Sequence, residues 1–460
     1  MPARQYTALA ISNTDDLLFG RAPIPLACGH DLTIGDGEVY PEINFTLPAM
    51  EVTDVTMPVV HDQYSQMVEA VCRRAVELHA PGLVVEFELL PPMTIHPAWG
   101  ESIVSLLRSV LDRFHADHGL SSVLRVTPTD VRDSERPVRQ RTGRYWGAMR
   151  ESFRRCASAG ADLLSIESTG GKEVCDDALV RCDLQAMLFG LGVLGVRDMA
   201  FLWDAIGEAC VGTNCKPAGD TACGFANTAM VLADRMMIPR VFASLVRTVS
   251  AVRSLVAFEH GAAGPSKDCA YEGPYIKAIT GLPISMEGKS SACAHLSHLG
   301  NIAAAAADLW SNESVQNVKL LGATAPVVSV EQLIYDCRLM NVALADGADA
   351  ARRLRDWLVR SDAGLDPQAY VLTPENVLDL AGVMIASPDP YRRSCDVATA
   401  TLALLRSATE RGALSLTDRE RTWIDMLDAQ LETLPLDEAS AIAAFEAPAY
   451  PSLIPSEYGL

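Results

Sequence analysis

The stretch "GLVVEFELL", Gly82–Leu90, decides how the chain is read. It is short and mostly apolar, it follows Pro81, and it stops at the Pro91–Pro92 pair. A run of that length between proline punctuators reads as a β-strand. What flanks it is different. Tyr64, Met67, Val68, Val71 and Ala75 recur at helical spacing across Asp62–His79, and Ile103, Leu106, Val110 and Phe114 do the same further on. A buried strand between two helices is the unit of a parallel sheet covered by helices.

The unit repeats along the chain. "SSVLRVTPTDVR" supplies a second strand, and Trp146, Met149, Phe153 and Cys156 mark a helix before "ADLLSIE", Ala161–Glu167. Later strand candidates are "CKPAG", "RSLVAFE" (Arg253–Glu259) and "LPISME" (Leu282–Glu287). Six to eight such units in about 270 residues favour a closed (β/α)8 TIM barrel, an α/β fold, over an open doubly wound sheet. The missing G-x-G-x-x-G after the early strands points the same way. The predicted organisation is an N-terminal extension over 1–60, a barrel over 61–330 and a C-terminal helical region over 331–460. The last rests on apolar or amphipathic segments such as "EQLIYDCRLMNVALA" and "SCDVATATLALLRSA".

Bulk properties exclude several classes. A net charge of −20 and a pI near 4.9 argue against a nucleic-acid partner, which needs a basic patch. The first twenty residues lack the unbroken apolar core of a signal peptide, because Asn13, Asp15 and Asp16 interrupt it. No run of about 18 uncharged apolar residues is present, the longest candidate being Ala186–Val196, so no membrane span is expected. The twelve cysteines form no C-x-x-C pair and are expected in a reducing, cytoplasmic setting as core residues, metal ligands or reactive thiols. G-x-S-x-G and P-loop patterns are absent.

Reactive groups of a barrel enzyme lie where the strands end. Glu167 closes "ADLLSIE"; Asp220 and Cys223 follow "CKPAG"; Glu259, His260 and Cys269 follow "RSLVAFE". One carboxylate and two cysteines then share one face, a donor set suited to Zn²⁺ with a fourth position open. Separations of 56 and 46 residues between these three make no local zinc signature, and a cysteine packed in the core is the commoner reading. Cys175, Cys182, Cys210 and Cys215 read as structural, Cys293 and His295 as either a ligand pair or loop packing, and His115 and His118 as surface. Glu86, Glu88 and Glu287 sit in or at the ends of strands, where a carboxylate commonly supports a site.

"ADLLSIESTGGKEV", "PAGDTACGFANTAM", "RSLVAFEHGAAGPSKDCAYE" and "KAITGLPISMEGKSSACAHLSHLGN" closely resemble the methanol–corrinoid methyltransferase family, as do "DLTIGDGEVYPEIN", "WSNESV" and "YDCRLMNVAL". The resemblance covers nearly the whole chain. It implies a TIM barrel whose zinc is held by Glu167, Cys223 and Cys269, and an activity that moves the methyl group of methanol to a Co(I) corrinoid. The corrinoid is expected on a partner protein, since this chain has no D-x-H-x-x-G pattern. Asp220, Glu259 and His260 are expected to orient the donor hydroxyl or handle its proton. An oligomer is expected. Where the family has an acidic residue before the second ligand, and a small residue and then glutamine after it, this chain has Ala222, Gly224 and Phe225; Ala270 replaces a glycine. A less polar, bulkier wall beside Cys223 is therefore expected, which bears on the methyl donor more than on the metal. Other small methyl donors, a non-catalytic zinc scaffold for a corrinoid protein, and an unrelated barrel hydrolase or decarboxylase are the alternatives.

Overall fold

The computed structural model of the chain describes residues 3–47, 50–219, 221–267, 269–315, 323–445, 450 and 453–460. An antiparallel hairpin comes first, β1 (Arg21–Cys28) with β2 (Leu32–Asp36). Then follow β3 (Tyr40–Thr46), β4 (Leu83–Glu88), β5 (Ser122–Thr127), β6 (Leu163–Leu164), β7 (Lys216–Pro217), β8 (Ser285–Glu287) and β9 (Leu309–Val315). These seven make one parallel sheet, in the order β7-β6-β5-β4-β3-β9-β8, that curls so that one face becomes an interior. Helices Met57–Glu77, Pro97–His118 and Gly143–Ser158 connect successive strands and cover the outer face.

Alternation along each strand separates the two faces. Leu83, Val85 and Phe87 pack outward against the helices, in one large apolar core. Val84, Val123, Leu163, Ala218 and Leu309 point inward and form a second, smaller cluster with Leu26, Leu32 and Ile34 of the hairpin. The hairpin therefore plugs the end of the sheet where the strands begin. One layer up, the interior turns ionic: Arg125 donates from Nε to Glu42 Oε1 at 2.5 Å and from Nη1 to Ser165 Oγ and Pro265 O, both at 3.0 Å. Both charged side chains are essentially inaccessible.

Two expectations are corrected here. The stretch 1–60, expected as an extension ahead of the barrel, holds the plugging hairpin and β3, which sits inside the sheet between β4 and β9. "RSLVAFE" is not a strand; it ends the helix Arg240–Glu259. Val241 to Phe258 are all buried, so this helix is enclosed on every side and lacks the one-sided pattern that marks a surface helix. The extended segment comes just after it. Ala263 donates its N–H to Pro217 O (2.7 Å), Gly219 donates to Pro265 O (3.1 Å), and Ser266 forms a parallel bridge with Ile284.

Two helices reach the length and hydropathy of a membrane span, Leu184–Cys210 and Arg240–Glu259. Their most apolar windows are 78% and 100% buried within the protein, so both serve as core helices. Among the described residues beyond Ala325 the main elements are helices, Ala325–Ala345, Ala348–Asp362, Pro374–Met384, Pro390–Glu410 and Asp418–Leu431. Pro390–Glu410 packs along Arg240–Glu259, with Thr401 Oγ1 bonded to Thr248 Oγ1 at 3.0 Å.

Candidate metal centre at the strand ends

Three loops that leave the C-terminal ends of neighbouring strands meet over the interior. Glu167 lies two residues past Ser165 on the loop after β6. Cys223 opens a widened helical turn, Cys223–Asn227, after β7. Cys269 follows the extended segment around Ser266. The carboxylate oxygen and the two sulfurs all lie within 4.8 Å of one another, and Cys269 Sγ is 3.7 Å from Glu167 Oε1. A tetrahedral zinc with bonds of about 2.3 Å to sulfur and 2.0 Å to oxygen puts such donors about 3.5 Å apart, so this donor set fits the ion with little adjustment.

The sulfurs are furnished with donors. Thr221 Oγ1 accepts the Ala270 N–H (3.1 Å), which leaves its own proton to point at Cys269 Sγ, 3.7 Å away. Asn227 Nδ2 donates to Cys223 Sγ at 3.4 Å. Hydrogen bonds of this kind stabilise the thiolate form that a metal requires. The carboxylate is fixed by Lys267, whose Nζ lies 2.9 Å from Glu167 Oε1, 3.0 Å from Glu86 and 3.7 Å from Glu88. Burial opposes the charge on Lys267, but these three carboxylates outweigh it and raise its pKa well above the ordinary lysine value. Burial likewise works against Glu86, yet Lys267, Arg125 and Thr127 hold its carboxyl below the usual range. Glu88 goes the other way. Burial raises it, with Glu167 and Glu86 adding to the effect against Lys267.

The loops are anchored from behind. Thr169 donates its N–H (2.8 Å) and hydroxyl (2.9 Å) to Asp130 Oδ2, and Arg132 clamps Asp130 and Asp198 in a buried ion network. Gly171, at a φ of +83°, donates its N–H to Tyr458 Oη at 2.9 Å, so the C-terminal residues strap the Glu167 loop. Glu272 Oε1 accepts the Ala222 N–H (2.7 Å) and the Ser254 hydroxyl (3.0 Å), which ties the Cys223 loop to the helix Arg240–Glu259.

The cluster thus unites Glu167, Cys223 and Cys269. It does not include Glu259 and His260. These end the helix before the extended segment begins, at the opposite end of the sheet, where Glu259 pairs with Arg393 (2.7 Å) and His260 with Asp204 (3.1 Å). Asp220 lies outside the described residues. Cys293 is exposed on the helix Lys289–Ala294 and has no part in the cluster. Cys175, Cys182, Cys210 and Cys215 are buried free thiols. His118 is on the surface, whereas His115 is half-buried and stacks on His30 at 4.4 Å. Phe225 does not wall the mouth: it is 1% exposed, and its ring faces the Arg253 guanidinium at 4.6 Å. Lys267 and Asn227 went unremarked in the sequence. Lys267 is two residues before Cys269 in the sequence, and Asn227 is one helical turn after Cys223.

A family model for the methanol-cobalamin methyltransferase B subunit matches residues 3–456. The chain belongs to this family. A curated relative, the methanol–corrinoid protein co-methyltransferase of Methanosarcina barkeri (strain Fusaro / DSM 804), is 37% identical over 441 residues, which cover 95% of this chain and 94% of the relative. The fold matches the crystal structure of the methanol:cobalamin methyltransferase complex from Methanosarcina barkeri with a TM-score of 0.95 at 35% identity, covering all of both chains. Membership of the family and the full-length match at this TM-score agree with the resemblance carried by the strand-end motifs.

Proposed function

We propose that the protein transfers the methyl group of methanol to the corrinoid cobalt of a partner protein, and that Glu167, Cys223 and Cys269 hold the zinc ion this requires. The observation that carries the reading is the Glu/Cys/Cys cluster itself, three donors within 4.8 Å at the strand ends of a chain of this family. We further read residues 263–266 as an eighth stave that closes the sheet into a barrel; the bonds to Pro217 and Gly219 on one side and the bridge to Ile284 on the other support this. The corrinoid protein is placed over the open mouth, where the three loops meet.

Bound there, zinc would supply Lewis-acid polarisation of the methanol oxygen, which turns a poor leaving group into an acceptable one. The chain's own residues do the rest. Lys267 holds the Glu167 carboxylate in place through Oε1, the oxygen that lies 3.7 Å from Cys269 Sγ. Thr221 and Asn227 orient the two sulfurs. Glu88 is the carboxyl disposed to hold a proton for the departing oxygen, since burial raises its pKa, its side chain is 28% exposed, and Asn44 Nδ2 fixes its Oε2 at 3.2 Å. With Phe225 turned towards Arg253, it gives no ground for a small methyl donor other than methanol.

Metal analysis and a methyl-transfer assay test the proposal together. The purified chain should carry about one zinc and should methylate Co(I) cobalamin from methanol, and Cys269→Ala should lose both properties. Full zinc retention by Cys269→Ala would sink the ligand assignment, whereas zinc-replete protein that is inert with methanol and its corrinoid partner would sink the donor.

A further inference from the structure

Arg253 is fully buried in the middle of the structure, on the enclosed helix Arg240–Glu259, and it faces two of the three ligand loops at once. Its Nη2 donates to Ser168 O at 3.2 Å and to the Ser168 hydroxyl, one residue past Glu167. The flat face of the same guanidinium covers the Phe225 ring at 4.6 Å, two residues past Cys223. Its stem is wedged against Gly195 in the widened turn Gly190–Gly195, where an added Cβ would come within 3.0 Å of Arg253 Cδ. The group is therefore held from three sides. Only a planar fork can donate along its edge and stack on its face together, so lysine is no substitute.

We propose that Arg253 is a positioning residue that ties the Glu167 loop to the Cys223 loop and thereby sets the separation of these two ligands. Phe225 belongs to that tie and takes no part in choosing the methyl donor. The inference rests on the reading of Glu167, Cys223 and Cys269 as metal ligands.

Cobalt(II) is the probe, because thiolate charge-transfer absorption reports cysteine coordination and competition with a chelator reports affinity, neither of which requires methyl transfer. The full-length wild-type chain should show thiolate bands. Arg253→Lys and Phe225→Leu should bind Co²⁺ about 10- to 100-fold more weakly, the usual effect of losing a group that orients a ligand, with a shifted band and unchanged circular dichroism. Arg393→Lys is the control, an equally buried arginine that pairs with Glu259 away from the cluster, and it should lose thermal stability while binding Co²⁺ as wild type does. If Arg253→Lys and Phe225→Leu keep wild-type affinity and an unaltered band, Arg253 is a packing residue and the proposal is wrong. Equal loss in Arg393→Lys would overturn it too, as general loosening. Missing thiolate bands in the wild type would fell the ligand reading first, and that arm is read before any variant.

Discussion

Arg125→Met tests whether the ionic layer inside the sheet is a single coupled unit. The guanidinium reaches Glu42 on β3, Ser165 past β6 and the carbonyl of Pro265, so its removal unties three walls of the interior. Glu42 would be left buried, with the Ser285 hydroxyl still donating to it. Breaking a buried pair by deleting one partner costs about 3–5 kcal/mol, a large share of a typical total of about 5–15. Replacing both charges is far milder, because no orphaned carboxylate remains. Glu42→Leu combined with Arg125→Met should cost about 2 kcal/mol less than Arg125→Met alone. The deficit of the single variant should also depend on pH. Burial already pushes the Glu42 carboxyl up, and without the guanidinium it rises further. A carboxyl raised in the fold favours the protonated form, so stability is retained below the unfolded value of about 4.3 and drains away as pH increases. Urea unfolding followed by tryptophan fluorescence at pH 4.5 and pH 7 measures both effects. A single variant within about 1 kcal/mol of wild type, or a deficit identical at the two pH values, refutes the coupled-layer argument.

Three other outcomes follow from contacts elsewhere. Tyr458→Phe strands the buried Gly171 N–H, at a cost of about 1–3 kcal/mol, and hydrogen exchange at Gly171 should accelerate accordingly; unchanged protection would mean the C-terminal strap does not hold the Glu167 loop. Burial, then Arg108 and His115, lower the His30 pKa against the pull of Asp112, so stability should fall as pH drops below about 6.5 and that dependence should flatten in His30→Gln. An equal slope in both proteins would assign the acid sensitivity elsewhere. Gly288→Ala would drive a Cβ into the Trp310 ring, which is 2% exposed, and should destabilise the protein by about 1–3 kcal/mol with a shifted tryptophan emission; a silent substitution would mean the ring can move.

What was legible in the sequence was legible for local reasons. The short, mostly apolar run "GLVVEFELL" and the proline punctuation around it mark β4, and the rule that chemistry gathers at strand ends puts Glu167, Cys223 and Cys269 on one face before any metal geometry is seen. The failures are equally physical. A helix buried on all sides looks like a strand when only its last seven residues are weighed, and that misreading carried Glu259 and His260 to the wrong end of the sheet. β3 escaped notice because "YPEINFT" alternates inward Glu42 and Asn44 with outward residues, so its inner face is polar where a covered sheet is expected to be apolar. The direction of Phe225 depends on Arg253, 28 residues away, and no spacing argument reaches it.

That polar inner face is itself an argument about the metal. Glu42, Glu86, Glu88 and Glu167 share the upper interior with two cations, Arg125 and Lys267, and the Cys223 and Cys269 sulfurs sit at its mouth. Acidic groups outnumber basic ones there, and each thiolate formed adds to the excess. A divalent cation would offset it, and metal binding would then contribute to folding as well as to chemistry. Zinc held at a hundred times its dissociation constant stabilises the fold by about 2.7 kcal/mol. Removing it with a chelator should lower the urea midpoint of the wild type, and readdition should restore it. Cys269→Ser should start low and show no response to the chelator. If the wild type is equally stable with and without chelator, the charge excess is already neutralised by protons on groups such as Glu88, and the interior needs no ion to stand.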